Sequence, residues 1–287
     1  MASSYTPEIG AAPEPAKFGL LNSKTLVSTT GRWSGGIALD SLACNVSTRI
    51  TDICGTNNSV EVTEPGDSNV LFRPYNIEST YECSTYGFLN NDYFAKARLG
   101  LELCQNKAAE AELWTGALAK QDDTLDAEGL PNPNRYLASP DAEDVTPTSG
   151  TAVKPAYGLA LLEEAIGQCG CGSTGFIHAT RGVGSTLPVR IEGDTLVTKL
   201  GNYVIAGAGY TGTGPDGSEP TGSQVWMYAT GQITARVGDI TVTPNTLSEA
   251  TNTRNNTVNV TASRDAAVTW DGCCHYAVLV DLSLDYS

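Results

Sequence analysis

Apolar residues recur along this chain with two different periods. From Asp92 to about Ala119 the spacing is helical: Phe94, Ala97, Leu101, Cys104, Ala108 and Ala111 return at intervals of three and four, giving one narrow apolar stripe. Asn91 or Asp92 can cap its start and Gly116 weakens its last turn. Such a helix of about 28 residues would span roughly 42 Å. A second helix is predicted from Pro155 to about Gly167, with proline in the first turn and glycine at the end. Elsewhere the pattern is that of strands. TGFIHAT, TLVTKL, YVIAG, QVWMYAT and QITARV follow the second helix as strands, and NTVNVTASRDAAVTW and HYAVLVDLSL alternate near the C-terminus.

The remaining stretches are less regular. Residues 1 to about 25 hold Pro7, Pro13 and Pro15 and read as an extended arm that needs a partner to be ordered. Residues 31–80 break into strand-like pieces, with EPGD at 64–67 as a turn, and carry too few large apolar residues to build a core alone. Gln121 to Lys154 is polar and proline-rich and is expected to be a loop or a partly ordered excursion.

Composition narrows the class. A hydrophobic share of 40%, only 17% charged residues and 30 glycines in 287 positions predict an α+β chain in which β prevails. The formal net charge of -15 argues against a surface that grips a nucleic-acid backbone, because such binding needs clustered Lys and Arg. No apolar run approaches the roughly 20 residues of a membrane-spanning helix, and the opening residues lack a signal-peptide pattern. A soluble protein made in a cytoplasm is the expectation. Eight cysteines are too sparse for a disulfide scaffold, so reduced, buried thiols are expected.

Candidate chemistry is thin. GQCGCGSTGFIHAT at 167–180 contains the metal candidates Cys169, Cys171 and His178, and Cys273, Cys274 and His275 form an echo. The residue types suit zinc, but the spacing is not that of paired knuckles; a helix end, a tight turn and a strand account for it better. GAGYTGTG at 207–214 satisfies G-x-G-x-x-G after an apolar strand, yet Pro215, Gly217 and Pro220 forbid the helix that would hold a pyrophosphate. Two histidines and no G-x-S-x-G elbow give no nucleophile–base pair. Asp122-Asp123 and Glu163-Glu164 read as solvated faces, since adjacent helical residues do not face one another. No catalytic or cofactor-binding residue, and no cofactor, is predicted.

Several segments resemble major capsid proteins of tailed bacteriophages that infect Actinobacteria, whose fold encapsulin compartments share: FRPYNIESTYECSTYGF (72–88), EAELWTG (110–116), LVTKLGNYVIAGAGYTGTGPDG (196–217), VWMYATGQITARVGD (225–239) and TASRDAAVTWDGCCHYAVLVDL (261–282). The resemblance covers about residues 31–287. It implies an N-terminal arm (1–30), an extended β-hairpin loop (31–80), and a peripheral domain (81–154) with its spine helix (91–119). It also implies an axial domain (155–235) and returning C-terminal strands of the peripheral domain (236–287). The implied role is a non-enzymatic virion subunit, assembled in the host cytoplasm, whose pentamers and hexamers enclose double-stranded DNA without sequence-specific binding. Its implied partners are copies of itself, with possible separate scaffolding, portal and decoration proteins and no membrane.

Two departures from the family pattern matter. No lysine lies between Lys24 and Lys96, so an isopeptide link from the extended loop is not expected. Only about 25 residues precede the loop, so scaffolding is expected from a separate protein or none. Rival readings are an encapsulin-like shell, a tail or other β-rich virion protein, and a Cys/His metalloprotein.

Overall fold

The computed structural model describes residues 13–27, 36–40, 69–84, 92–121, 134–169, 173–270 and 274–283. The helix expected from Asp92 is α1, Tyr93–Thr115. The Ala95 amide donates to the Asp92 carboxylate at 2.9 Å, closing the first turn. Gly116 ends it in the left-handed region (φ 60°), donating its N–H to the Glu112 carbonyl at 2.8 Å. A residue with a β-carbon would be strained there, so α1 stops at about 35 Å and a separate short helix, α2 (Ala117–Gln121), follows.

The expected apolar stripe holds only over the first half of α1. Ala97 and Leu101 are buried, but Cys104 and Ala108 are exposed, and Ala109, Glu110, Leu113 and Trp114 are buried instead. The reason lies in what the helix covers. Its first half packs on one sheet and its second half on another, and the buried face rotates between them.

The first sheet is built around β13 (Thr257–Trp270), which is 14 residues long. β3 (Tyr75–Ser84) runs antiparallel along one edge, from Thr257↔Ser84 to Ala266↔Tyr75. Along the opposite edge lie β10 (Ile233–Val237), β11 (Thr241–Thr243) and β12 (Thr251–Asn252). Tyr93, Ala97 and Leu101 of α1 pack on Ile77, Val258, Val260 and Ala262 of this sheet. A short helix, α5 (Leu247–Ala250), precedes β12.

The second sheet has seven strands in the order β4-β14-β9-β5-β8-β7-β6. Their ranges are Glu143–Asp144, His275–Asp281, Gln224–Thr230, Phe176–Thr180, Tyr203–Gly207, Thr195–Val197 and Arg190–Glu192. The central strands are buried on both faces. Ile177, Ala179, Met227, Ala229, Val278 and Val280 meet α3 (Pro155–Cys169) and α4 (Arg181–Thr186). Phe176, Ile205, Tyr228 and Ala277 face the other way, into the core shared with the end of α1. That two-sided burial explains why these segments read as near-continuous apolar runs.

Three expectations need correction. Residues 75–80 do not belong to a projecting loop, because β3 pairs with β13 from Tyr75 onward. The C-terminal strands do not form one unit: β13 centres the first sheet, whereas β14 lies antiparallel to β9 in the second. β10, straddling the expected boundary at 235/236, pairs with β13. β1 (Ile37–Asp40) and β2 (Asn69–Phe72) pair antiparallel with each other, and the EPGD turn lies outside the described residues.

The leading arm is the third. Residues 17–27 pack on the chain's own body, with Leu20 and Thr25 fully buried. The Ala235 amide donates to the Thr25 carbonyl at 2.8 Å, and Val27 donates back to Ala235 at 3.0 Å. Ser23 donates through its amide and hydroxyl to Asp194 at 2.9 and 2.7 Å, and Ala206 donates to the Phe18 carbonyl at 3.0 Å.

Candidate functional site

Where the arm, α1 and the loop after β8 meet, a single carboxylate joins three segments distant in sequence. Glu110 is only 1% exposed. Its Oε1 accepts from the Leu20 amide at 2.9 Å and its Oε2 from the Gly209 amide at 2.8 Å. Next to it, Asn106 Oδ1 accepts from the Leu21 amide at 2.7 Å. Burial raises the Glu110 pKa, partly offset by the amides of Gly209, Leu20 and Ala208 and by the Arg181 guanidinium. Gly209 lies so close to α1 that an added β-carbon would stand 2.1 Å from the Lys107 carbonyl oxygen. The second glycine of the GAGYTGTG motif therefore serves close packing of a loop on a helix; β8 runs into a loop there, with no helix before β9.

Behind this junction is a buried polar network. The Trp114 indole N–H donates to Thr213 Oγ1 at 3.0 Å and the Tyr228 hydroxyl to the Thr213 carbonyl at 2.9 Å. Trp114 sits between Tyr210, tilted against it with centroids 4.8 Å apart, and Tyr228, edge-to-face at 4.9 Å. Thus the 207–214 loop is held on α1 and on β9 together.

His178 belongs to the same network. Its Nδ1 lies 2.8 Å from the Tyr210 hydroxyl and its Nε2 3.0 Å from Thr230 Oγ1. Thr230 donates to the Gly231 carbonyl, so it accepts from an Nε2–H, and Nδ1 accepts from Tyr210. Complete burial lowers the His178 pKa to about 3, with a smaller contribution from His275, and the ring is neutral at any ordinary pH. Both nitrogens are occupied, which leaves no lone pair for a metal. His275 borders the network, its ring 6.2 Å from that of Tyr228, and is bonded through Nε2 to the Leu137 carbonyl at 2.9 Å.

The cysteine expectation is overturned at one position. Cys169, the last residue of α3, forms a disulfide with Cys274, just before β14, with their Cα atoms 5.8 Å apart. The physical reason is that α3 packs along β14, which brings together two ends separated by 105 residues. Cys169 is therefore no thiolate ligand, and Cys171 and Cys273 lie outside the described residues. No group of three or more His, Cys, Asp or Glu among the described residues could hold a metal ion. Glu163 is half-buried and accepts from Asn202, unlike the solvated surface expected of it.

Glu110 escaped the sequence reading. The signal was weak: one of two acids in EAELWTG, between the alanines of the stripe, with its partners about 90 and 99 residues away. No helix among the described residues is long and apolar enough to cross a membrane.

No family model matches the sequence, and no curated protein matches it. Solved structures do match, along almost the whole chain. A structure from Mycobacterium phage Ogopogo superposes with a TM-score of 0.55 at 10% identity, covering 98% of this chain and 97% of that one. The capsid of Ralstonia phage GP4 gives 0.53 at 8% identity, covering 98% and 95%. A structure from Mycobacterium phage Adephagia gives 0.52 at 13% identity, covering 98% and 94%. The mixed helix-and-sheet fold is that of a phage capsid protein.

Proposed function

We propose that this protein is a major capsid subunit: a non-enzymatic virion protein that self-assembles into pentamers and hexamers of an icosahedral shell around a double-stranded DNA genome. The observation that carries the reading is the whole-length likeness to a phage capsid chain. A single domain borrowed by an enzyme would match over part of its length; here the match covers 98% of this chain and 95% of that one.

In this reading α1 and the β13 sheet form the peripheral domain. The seven-stranded sheet with α3 and α4 forms the axial domain, now including β14 and excluding β10. The β1–β2 pair begins the extended loop, which leans on a neighbouring copy because two strands alone are marginal in water. Tyr157 on α3, Ile191 on the edge strand β6 and Leu200 in the turn after β7 are 53%, 66% and 79% exposed. They supply apolar contact area for the next subunit, as obligate interfaces require. A net charge of -15 suits a wall that encloses DNA without trapping it. Scaffolding, portal and decoration proteins would be separate chains.

Electron microscopy of the purified protein tests the proposal. Closed icosahedral particles built from this chain are expected, with DNA inside those taken from virions. A monodisperse monomer at micromolar concentration, with or without a co-expressed scaffold, would overturn it; particles filled with protein cargo and no DNA would move it to an encapsulin-like compartment.

A further inference from the structure

The Cys169–Cys274 bond crosses a contact that stands without it. α3 is held on β14 by apolar packing of Leu162 and Ile166 in one cluster with Val278 and Val280. The strand-like segment before α3 adds backbone bonds: Val153 donates to Leu279 at 3.0 Å, and Asp281 donates to Val153 at 2.9 Å. A pair of thiols at 169 and 274 would therefore sit in the same places, and the bond fastens a junction already assembled.

The two sulfurs differ in access. Cys274 is 2% exposed and Cys169 is half-buried at the helix end, so a small thiol or disulfide reaches Cys169 first. The segment between them runs from β5 through β13, so closing the bond ties both ends of a stretch that supplies strands to both sheets.

We propose that Cys169 and Cys274 are a redox-operated staple, open as two thiols while the chain folds and assembles in a reducing compartment and closed afterwards to lock α3 onto β14. This rests on the capsid reading for the change of compartment. The oxidant is a low-molecular-weight disulfide of the glutathione class. The Cys169 thiolate attacks it and expels one thiol, forming a mixed disulfide on Cys169. The Cys274 thiolate then attacks the Cys169 sulfur and expels the second thiol. Two electrons pass to the oxidant, and the two protons lost by the cysteines end on the released thiols.

The test traps thiols in intact producing cells with N-ethylmaleimide and compares them with purified protein treated with oxidised glutathione. Fragment mass spectra identify which cysteines are joined, and exposed Cys104 serves as the accessible-thiol control. Labelled thiols at 169 and 274 in cells, a 169–274 bridge in the oxidised protein, and glutathione caught on Cys169 are expected. Reduction should lower the melting midpoint by roughly 5–10 °C. Cys169→Ser and Cys274→Ala should each remove that sensitivity. A bridge already complete in cells, persistent thiols after oxidation, or a bridge through Cys171 or Cys273 would overturn the staple. These outcomes are read on the chain whether or not it assembles, so absence of particles would sink the capsid reading alone.

Discussion

Two segments of this molecule carry the same expectation and behave oppositely in the fold. The arm and the excursion that begins with β1 both read as segments unable to form a core of their own, although residues 17–27 carry Phe18, Leu20, Leu21, Leu26 and Val27. The arm is nevertheless completed by its own chain: Leu20 and Thr25 are fully buried, and Glu110, Asn106, Asp194 and Ala235 take up its backbone donors and acceptors. β1 and β2 pair with each other and with no third strand among the described residues. The difference teaches that a segment without a core of its own does not always need a partner. What decides is whether preset acceptors and donors stand where its backbone passes.

That contrast can be broken most severely at the excursion. Replacing residues 41–68 with a short Gly-Ser turn should abolish particles altogether while shifting the stability of the body by no more than about 1 kcal/mol, since loop length enters only logarithmically. Microscopy paired with urea unfolding measures both. A variant that still builds shells would remove the excursion from the assembly.

At the arm the expected effect falls on stability. Glu110→Ala strands the Leu20 and Gly209 amides in a buried site and should cost about 3 kcal/mol or more, read from the urea midpoint. Glu110→Gln keeps one acceptor oxygen and should cost less. Leu20→Ala should cost about 3 kcal/mol through the cavity it leaves. If either alanine variant unfolded like the parent chain, the arm would be a passenger on the body.

Acidity sharpens the comparison further. The folded chain holds His178 neutral down to about pH 3, whereas an unfolded chain protonates it near 6.5. Stability from this group is complete above pH 6.5 and is lost as the pH falls, by about 1.4 kcal/mol per unit. His178→Gln should flatten that slope. Glu110 has the opposite sign: its raised pKa means that ionisation costs more in the folded chain, so relative to Glu110→Gln the parent loses stability as the pH rises above 4.5. The smallest effect is expected at the surface: Asp194→Asn, weakening two bonds from Ser23, should cost about 1 kcal/mol or less.

Much of the local structure was legible from the residues alone. Asp92 starts α1, Pro155 starts α3, short apolar runs marked β5, β8 and β9, and alternation marked β13 and β14. Pro215 and Gly217 argued correctly that no helix follows GAGYTGTG. These features depend on neighbours within a few positions, where capping and side-chain spacing act directly. Strand order, the rotation of the buried face of α1, the placing of β14 beside β9, the Cys169–Cys274 bond and the three-way role of Glu110 were decided only in three dimensions. Each depends on segments of order a hundred residues apart arriving at one place, and chain-local preferences carry no information about which distant acceptor or sulfur will be waiting there.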